Sequence, residues 1–333
     1  MIPVLVSGLM WLLVAALLVL RRGRADRTIT YSAVTIALAM TLNIDAVYVG
    51  VDGLLGGTNL VTLIADLALM VGIFFLGRGV AKAADHRSRV VRVALGRGIL
   101  AVALVGVIVA FLLIDRGETT TTFMLDFGAQ PAAAVYSILQ FTYDGIVVAT
   151  MAAVVVGQVA RTHGHEQLPA LSLLVGSLLG MLLSVVVIVM DVAHLAGNLP
   201  TMRALGVIYG PLFALTFLFL CLGLAGQPAV RWVRERSRVV TTRELVDRVT
   251  PIWERASSAR PGIGAMDLAS SGTDGSEARL HRQVVEIRDA LIDPRVTFEL
   301  TNAEGDVVDG AEAHLLGTAA LAEVDAGRAQ DVR

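Results

Sequence analysis

The stretch AAAVYSILQFTYDGIVVATMAAVVVGQV, residues 132–159, holds one charged side chain, Asp144, in twenty-eight positions. As a helix it would rise about 42 Å at ~1.5 Å per residue, enough to cross the ~30 Å hydrocarbon core of a bilayer. A water-soluble core does not need so long an apolar run, so the stretch reads as a transmembrane helix. Six further runs of the same kind lie at about 2–20, 28–49, 59–77, 98–114, 168–190 and 204–226. They account for a composition that is 55 % apolar over 333 residues, and they end near residue 226. The expected fold is all-α: a seven-helix transmembrane bundle over 1–226, followed by a small helical domain over 227–333.

Residues 2–20 lack a basic segment before the apolar run, and RRGRADR follows where a small-residue cleavage site would stand. They are therefore expected to be a retained first span. Basic residues set the orientation. Placing the N-terminus outside gives the inner segments 21–27, 78–97, 160–167 and the tail as far as Arg243 sixteen Lys or Arg, against Arg116 and Arg203 in the outer loops. The expectation is N-terminus out, C-terminus cytosolic, in the inner (plasma) membrane. Net charge is only −2, which gives no footing for nucleic-acid binding. The single cysteine, Cys221, excludes an intrachain disulfide and a multi-cysteine metal centre.

Ser172, Gly176, Gly180 and Ser184 recur every four residues on the sixth run, as do Gly206, Gly210 and Ala214 on the seventh. Such small-residue faces let helix backbones approach, within one bundle or across a homodimer.

A carboxylate in hydrocarbon is costly unless it is neutralised or partnered, so each acid within a span asks for an explanation. Asp66 and Asp144 fall near the middle of the third and fifth runs, and Asp45 in the outer half of the second. On the fifth run Tyr136, Gln140, Tyr143, Asp144, Thr150 and Gln158 share one helical face, a polar stripe that would pass through much of the membrane. Asp45, Tyr48 and Asp52 are spaced i, i+3, i+7 on the second. Asp45, Asp66, Gln140, Tyr143 and Asp144 are thus the candidate lining of an intramembrane path or ligand pocket, with structural hydrogen bonding between helices as the alternative.

Several chemistries find no residues here. A retinal Schiff base needs an intramembrane lysine, and the one lysine, Lys82, lies beyond the third run. The two acids of NIDAVYVGVD (43–52) are too far apart for magnesium-diphosphate. YDGIVVAT (143–150) begins like an alcohol-phosphotransferase signature but lacks its later acids and arginine. There is no H-E-x-x-H and no G-x-S-x-G. His163, His165 and Glu166 in RTHGHE are too few for a metal site. No catalytic residue, metal or cofactor is assigned, and an enzyme is the least supported class.

The tail begins with the basic collar RWVRERSR, suited to anionic lipid headgroups. Residues 231–260 carry eight arginines against four acids, and 293–333 three against nine. Thr241 and Glu244 form a capping-box pattern before a helix that Pro251 should bend or divide. Residues 257–275 read as a linker, and Asp274 with Glu277 as a second cap. In RLHRQVVEIRDAL (279–291), Leu280, Val284, Ile287 and Leu291 make an apolar seam. Arg279, Arg282, Glu286, Arg288 and Asp289 decorate the remainder. The seam is expected to pack with the 242–256 helix and with AHLLGTAALAEV (313–324), or with its own copy in a dimer, while the charged residues face a cytosolic protein. His281 has something of the phospho-acceptor box of sensor kinases, but the 42 residues that follow position 291 are too few for a nucleotide-binding domain.

Val249, Thr250, Pro251, Ile252 and Trp253, together with Arg279, Leu280, Arg282, Val284, Glu286, Ile287, Arg288 and Asp289, carry a resemblance. Behind about seven spans, the pairing resembles a family of actinobacterial integral membrane proteins of unknown function, commonly labelled transporters. Members have L-R-P-L-W and R-L-x-R-x-V-x-E-I-R-D segments in the tail; the first match departs at Thr250, where the family has Arg. The resemblance implies the label and supplies no substrate. Two readings stand nearly level: a membrane-bound sensor or scaffold that docks a cytosolic partner through its tail, and a transporter of a solute or ion with a regulatory tail.

Overall fold

The computed structural model describes residues 2–20, 28–84, 88–161, 167–259 and 275–330, and among them every regular element is a helix. In chain order these are α1 (Ile2–Leu20), α2 (Thr28–Leu42), α3 (Asp45–Leu54), α4 (Leu60–Ala83), α5 (Arg89–Ala94) and α6 (Arg97–Leu112). Next come α7 (Phe123–Phe127), α8 (Pro131–Val159), α9 (Gln167–Leu195), α10 (Leu199–Ala259), α11 (Ser276–Ile292) and α12 (Asn302–Gln330). They form two compact units, Met1–Arg231 and Trp232–Arg333, and α10 supplies residues to both.

Six helical stretches are long and apolar enough to cross a membrane, or seven if the bent pair α2–α3 counts as one span. The first unit therefore has the build of a multi-pass membrane protein. Its surface agrees: Leu12, Leu18, Val102, Leu113, Val156 and Val207 are exposed, as side chains facing lipid would be.

Small residues join its helices. A Cβ on Gly72 would lie 2.5 Å from Ile36 and one on Gly79 2.6 Å from Ile29, so α2 and α4 run antiparallel at close range. The Ser32 hydroxyl adds a 2.6 Å bond to the Gly72 carbonyl. On α9 the predicted small-residue face is an internal contact. Gly176 meets the Leu220 backbone, Gly180 meets Thr216 and Val148, Ser172 donates to the Phe219 carbonyl, and Ser184 lies against Gly145. On α10, Gly206 has open space and Gly210 meets the end of the Ile2 side chain, while Gly223 lies against the Leu173 backbone and Gly226 against Pro169.

The second run is not the single helix expected. It turns by 85° between Leu42 and Asp45. Nothing in the residues 42–45 forbids helix; a polar contact at the far end of α3 holds that helix to the start of α4. Asp52, buried there, accepts bonds from the backbone N–H of Asn59 (2.9 Å) and Val61 (3.2 Å) and from the Thr119 hydroxyl (2.6 Å), so its carboxylate caps α4. Asn59 takes a left-handed backbone, φ 59°, which asparagine tolerates.

In the second unit α10, α11 and α12 share one apolar core. Val246, Val249, Ile252 and Ala256 meet Leu280, Val284, Ile287 and Ala290, closed by Val308 and Ala311. The partner segment on α12 thus starts earlier than AHLLGTAALAEV. It begins with a capping box that sequence reading passed over, in which Thr301 and Glu304 bond each other's backbone N–H at 3.4 and 3.0 Å. The Thr241 capping box starts nothing, because α10 is already helical there. Instead the Thr242 hydroxyl bonds the Arg238 carbonyl and His314 Nε2. Nor does Pro251 divide α10. The carbonyl it leaves unpaired, that of Asp247, is on an exposed residue where water can bond it. Asp274, most of the linker 257–275, and His163, His165 and Glu166 lie outside the described residues.

Candidate functional site

Packing against α4 and α9 decides which polar groups of α8 meet. Tyr136 contacts Asp66 and Val147 contacts Gly77, so α8 runs parallel to α4 in fixed register. Ser137 bonds Asp191 and Gly145 meets Ser184, so α9 runs antiparallel to it.

These registers gather the predicted acids into one file. At its upper end the Asp66 carboxylate accepts a short hydrogen bond from the Tyr136 hydroxyl and another from the Gln140 side chain. The next residue of α8, Ser137, bonds Asp191 of α9, which is 4 % exposed. One turn below Gln140, on the same face of α8, lies Asp144, 5 % exposed, with its Oδ1 lacking any partner. The adjacent Tyr143 hydroxyl is likewise buried and unpartnered. Asp144 stands eight residues along α8 from Tyr136, about 12 Å further in at ~1.5 Å per residue.

Below Asp144 the file stops. The same face continues as Val147, Met151, Val154 and Val155, all buried. The expected stripe is therefore interrupted by apolar residues between Asp144 and Gln158, which is half-buried near the end of α8. Thr150 turns its hydroxyl onto its own helix, at the Ile146 carbonyl, 2.7 Å away. An aromatic group of Phe111, Phe123 and Tyr136 packs beside the upper end, with centroids 5.5–6.3 Å apart.

Asp66, Gln140, Tyr143 and Asp144 are thus brought together, and Asp45 is not. It is exposed at the first turn of α3. Its two expected companions serve the α4 cap, Asp52 directly and Tyr48 through its hydroxyl bonds to Asn59 (2.9 Å) and Thr62 (2.8 Å). Sequence reasoning missed Asp191, which sits one residue past the sixth run as drawn, and Ser137 beside it.

In the C-terminal unit the five charged residues of the tail motif divide. Glu286 accepts from the Trp253 indole, and Gln283 donates to the Thr250 hydroxyl at 2.9 Å, so the two tail segments touch. Arg288 ties α11 to α12 through Asp309 (2.5 Å) and Glu312 (2.7 Å). Those bonds, to Glu312 first, hold the guanidinium above its usual range. Arg279 and Asp289 are exposed and Arg282 is half-buried. The side of α11 opposite the core is marked by Ala278, His281, Val285, Asp289 and Ile292, all exposed and spaced at helical intervals. Val285 and Ile292, 43 % and 78 % exposed, give that side an apolar component that the charge pattern had hidden.

Compared with known proteins, the chain matches no protein family, no curated protein and no solved structure.

Proposed function

We propose that this chain is a seven-span protein of the inner membrane, N-terminus out, whose cytosolic three-helix domain docks a soluble protein partner, making it a membrane-bound sensor or scaffold. The observation that carries the reading is the outward side of α11, where Val285 and Ile292 stand in water beside His281 and Asp289 on a domain that already has its own core. Exposed aliphatic residues flanked by charges on a rigid helix are the composition of a recognition surface. Antiparallel pairing of α2 with α4 supports counting α2–α3 as a full span, and the distribution of Arg and Lys supports the orientation.

Glu286 and Arg288 are engaged inside the domain, so the informative variant alters the outward side alone. Val285→Asp with Ile292→Asp in the full chain should release a soluble protein that copurifies with the wild type, while the melting of the C-terminal domain is unchanged. A variant that keeps every such protein overturns the docking reading.

Transport of an ion or solute is the second reading, favoured by one observation. The second span is broken, and the α2–α4 register puts the break near the depth of Asp66. The resemblance of the tail motifs to the actinobacterial family adds its transporter label. Against conduction stands the apolar layer from Val147 to Val155. In proteoliposomes this reading requires a flux that Asp144→Asn removes; the sensor reading expects no flux above empty vesicles.

A further inference from the structure

We propose that Asp144 is an exchangeable binding site for a single monovalent positive charge, a proton or a sodium ion, at the blind end of the polar file. The inference is independent of the docking reading.

The geometry limits what can bind. Asp144 Oδ1 and the Tyr143 hydroxyl, on consecutive residues of α8, are two buried oxygens with no partner, and Gln140 stands one turn above Asp144. No Lys or Arg lies within a turn of Asp144 on α8. The titratable groups facing this region are Asp66 from α4, Tyr136 and Tyr143 from α8, Asp191 from α9 and Tyr209 from α10, none of which supplies a positive charge. An ionised carboxylate buried one turn from Val147 and Val148 is costly unless a positive charge compensates it. One positive charge removes that cost, whereas a divalent ion would leave an excess positive charge among the same apolar side chains.

The file also gives the site a side. Asp191, Ser137, Asp66, Tyr136 and Gln140 form a run of oxygens and donors from the α9–α10 turn down to Asp144, and valines close the other direction. A charge therefore enters and leaves by one route. That suits a site that reports conditions on one side of a membrane.

The test uses the full chain purified in detergent and dicyclohexylcarbodiimide, which reacts with protonated carboxylic acids in apolar surroundings, with labelled residues located by mass spectrometry. Label on Asp144 that grows as pH falls and ignores sodium identifies a proton site. Label that sodium suppresses, choline being the control, identifies a sodium site; at ten times the dissociation constant the free carboxyl, and with it the rate, should fall about tenfold. Label confined to Asp66, Asp191 or other carboxyls at every pH overturns the assignment, as does label on Asp144 that neither variable changes. If no carboxyl reacts, melting decides. The wild-type melting temperature must respond to acid or to sodium, and the response must vanish in Asp144→Asn. Should Asp144→Asn not fold, Tyr143→Phe, which removes one unpartnered oxygen, must weaken the response. Equal responses in wild type and variant overturn the proposal.

Discussion

Helices α9 and α10 meet across Gly176 and Gly223, with backbone atoms close enough that a methyl group would collide, whereas α10, α11 and α12 meet through Val249, Ile252, Leu280 and Ile287. The difference arises from the medium around each contact. In water, helices are driven together by removing aliphatic surface from solvent, so the largest side chains belong inside. In lipid, Leu outside costs no more than Leu inside, and association depends on close backbone approach and a few hydrogen bonds such as Ser172 to Phe219. Polar groups divide in the same way. Asp66 and Asp191 of the first unit are buried among hydroxyls and amides, while Asp309, Glu312 and Glu304 of the second lie at the surface paired with Arg288 and Arg255.

If that contrast holds, truncating a large core residue should hurt the second unit most. Ile287→Ala removes a fully buried side chain from the centre of the three-helix core. The expected loss is about 2–5 kcal/mol. Calorimetry on the full chain should show one transition lowered, that of the C-terminal domain, with the membrane unit unmoved. If both units shifted equally, they would not be energetically separate.

The complementary experiment enlarges a small residue in the first unit. In Gly223→Ala the added Cβ would stand 2.7 Å from the Leu173 backbone nitrogen, which cannot rotate away. The expected destabilisation is about 1–3 kcal/mol. Gly206→Ala, where nothing lies within 4 Å, should be silent on the same helix. A melting series in detergent checks both, and equal effects would refute the close-approach account.

The same contrast explains what could be read from residues alone. Spans were legible because crossing a membrane requires length and apolarity together, and the α11 seam because water imposes a periodicity. The four-residue spacing on α9 marked a true contact. Gly223 and Gly226 escaped notice because they fall three apart in LCLGLAGQ, outside that pattern. The break after Leu42 was hidden because nothing in residues 42–45 marks it, and the Asp52 cap that holds α3 to α4 lies beyond the run. Asp66 and Tyr136 are seventy residues apart on different helices, so each could be suspected singly but not joined. Glu286 and Arg288 looked like a charged exterior free for a partner; only the positions of Trp253, Asp309 and Glu312 show them tied to neighbouring helices of the domain.

The smallest effect should come from a surface pair, and pH exposes its sign. Glu304 accepts from the Thr301 backbone N–H and hydroxyl and pairs with Arg255 at 2.7 Å. The backbone bond, then the Arg255 bond, hold its carboxyl below the usual glutamate range. A carboxyl that ionises more readily when folded adds stability above its unfolded pKa and loses it as pH falls through the folded value. Glu304→Gln should therefore lower the melting temperature of the C-terminal domain at neutral pH, and the gap to wild type should close on acidification. Since the pair is exposed, salt should narrow the gap as well. A gap that persisted in acid would mean that Glu304 acts through hydrogen bonds that the amide does not reproduce, and not through its charge.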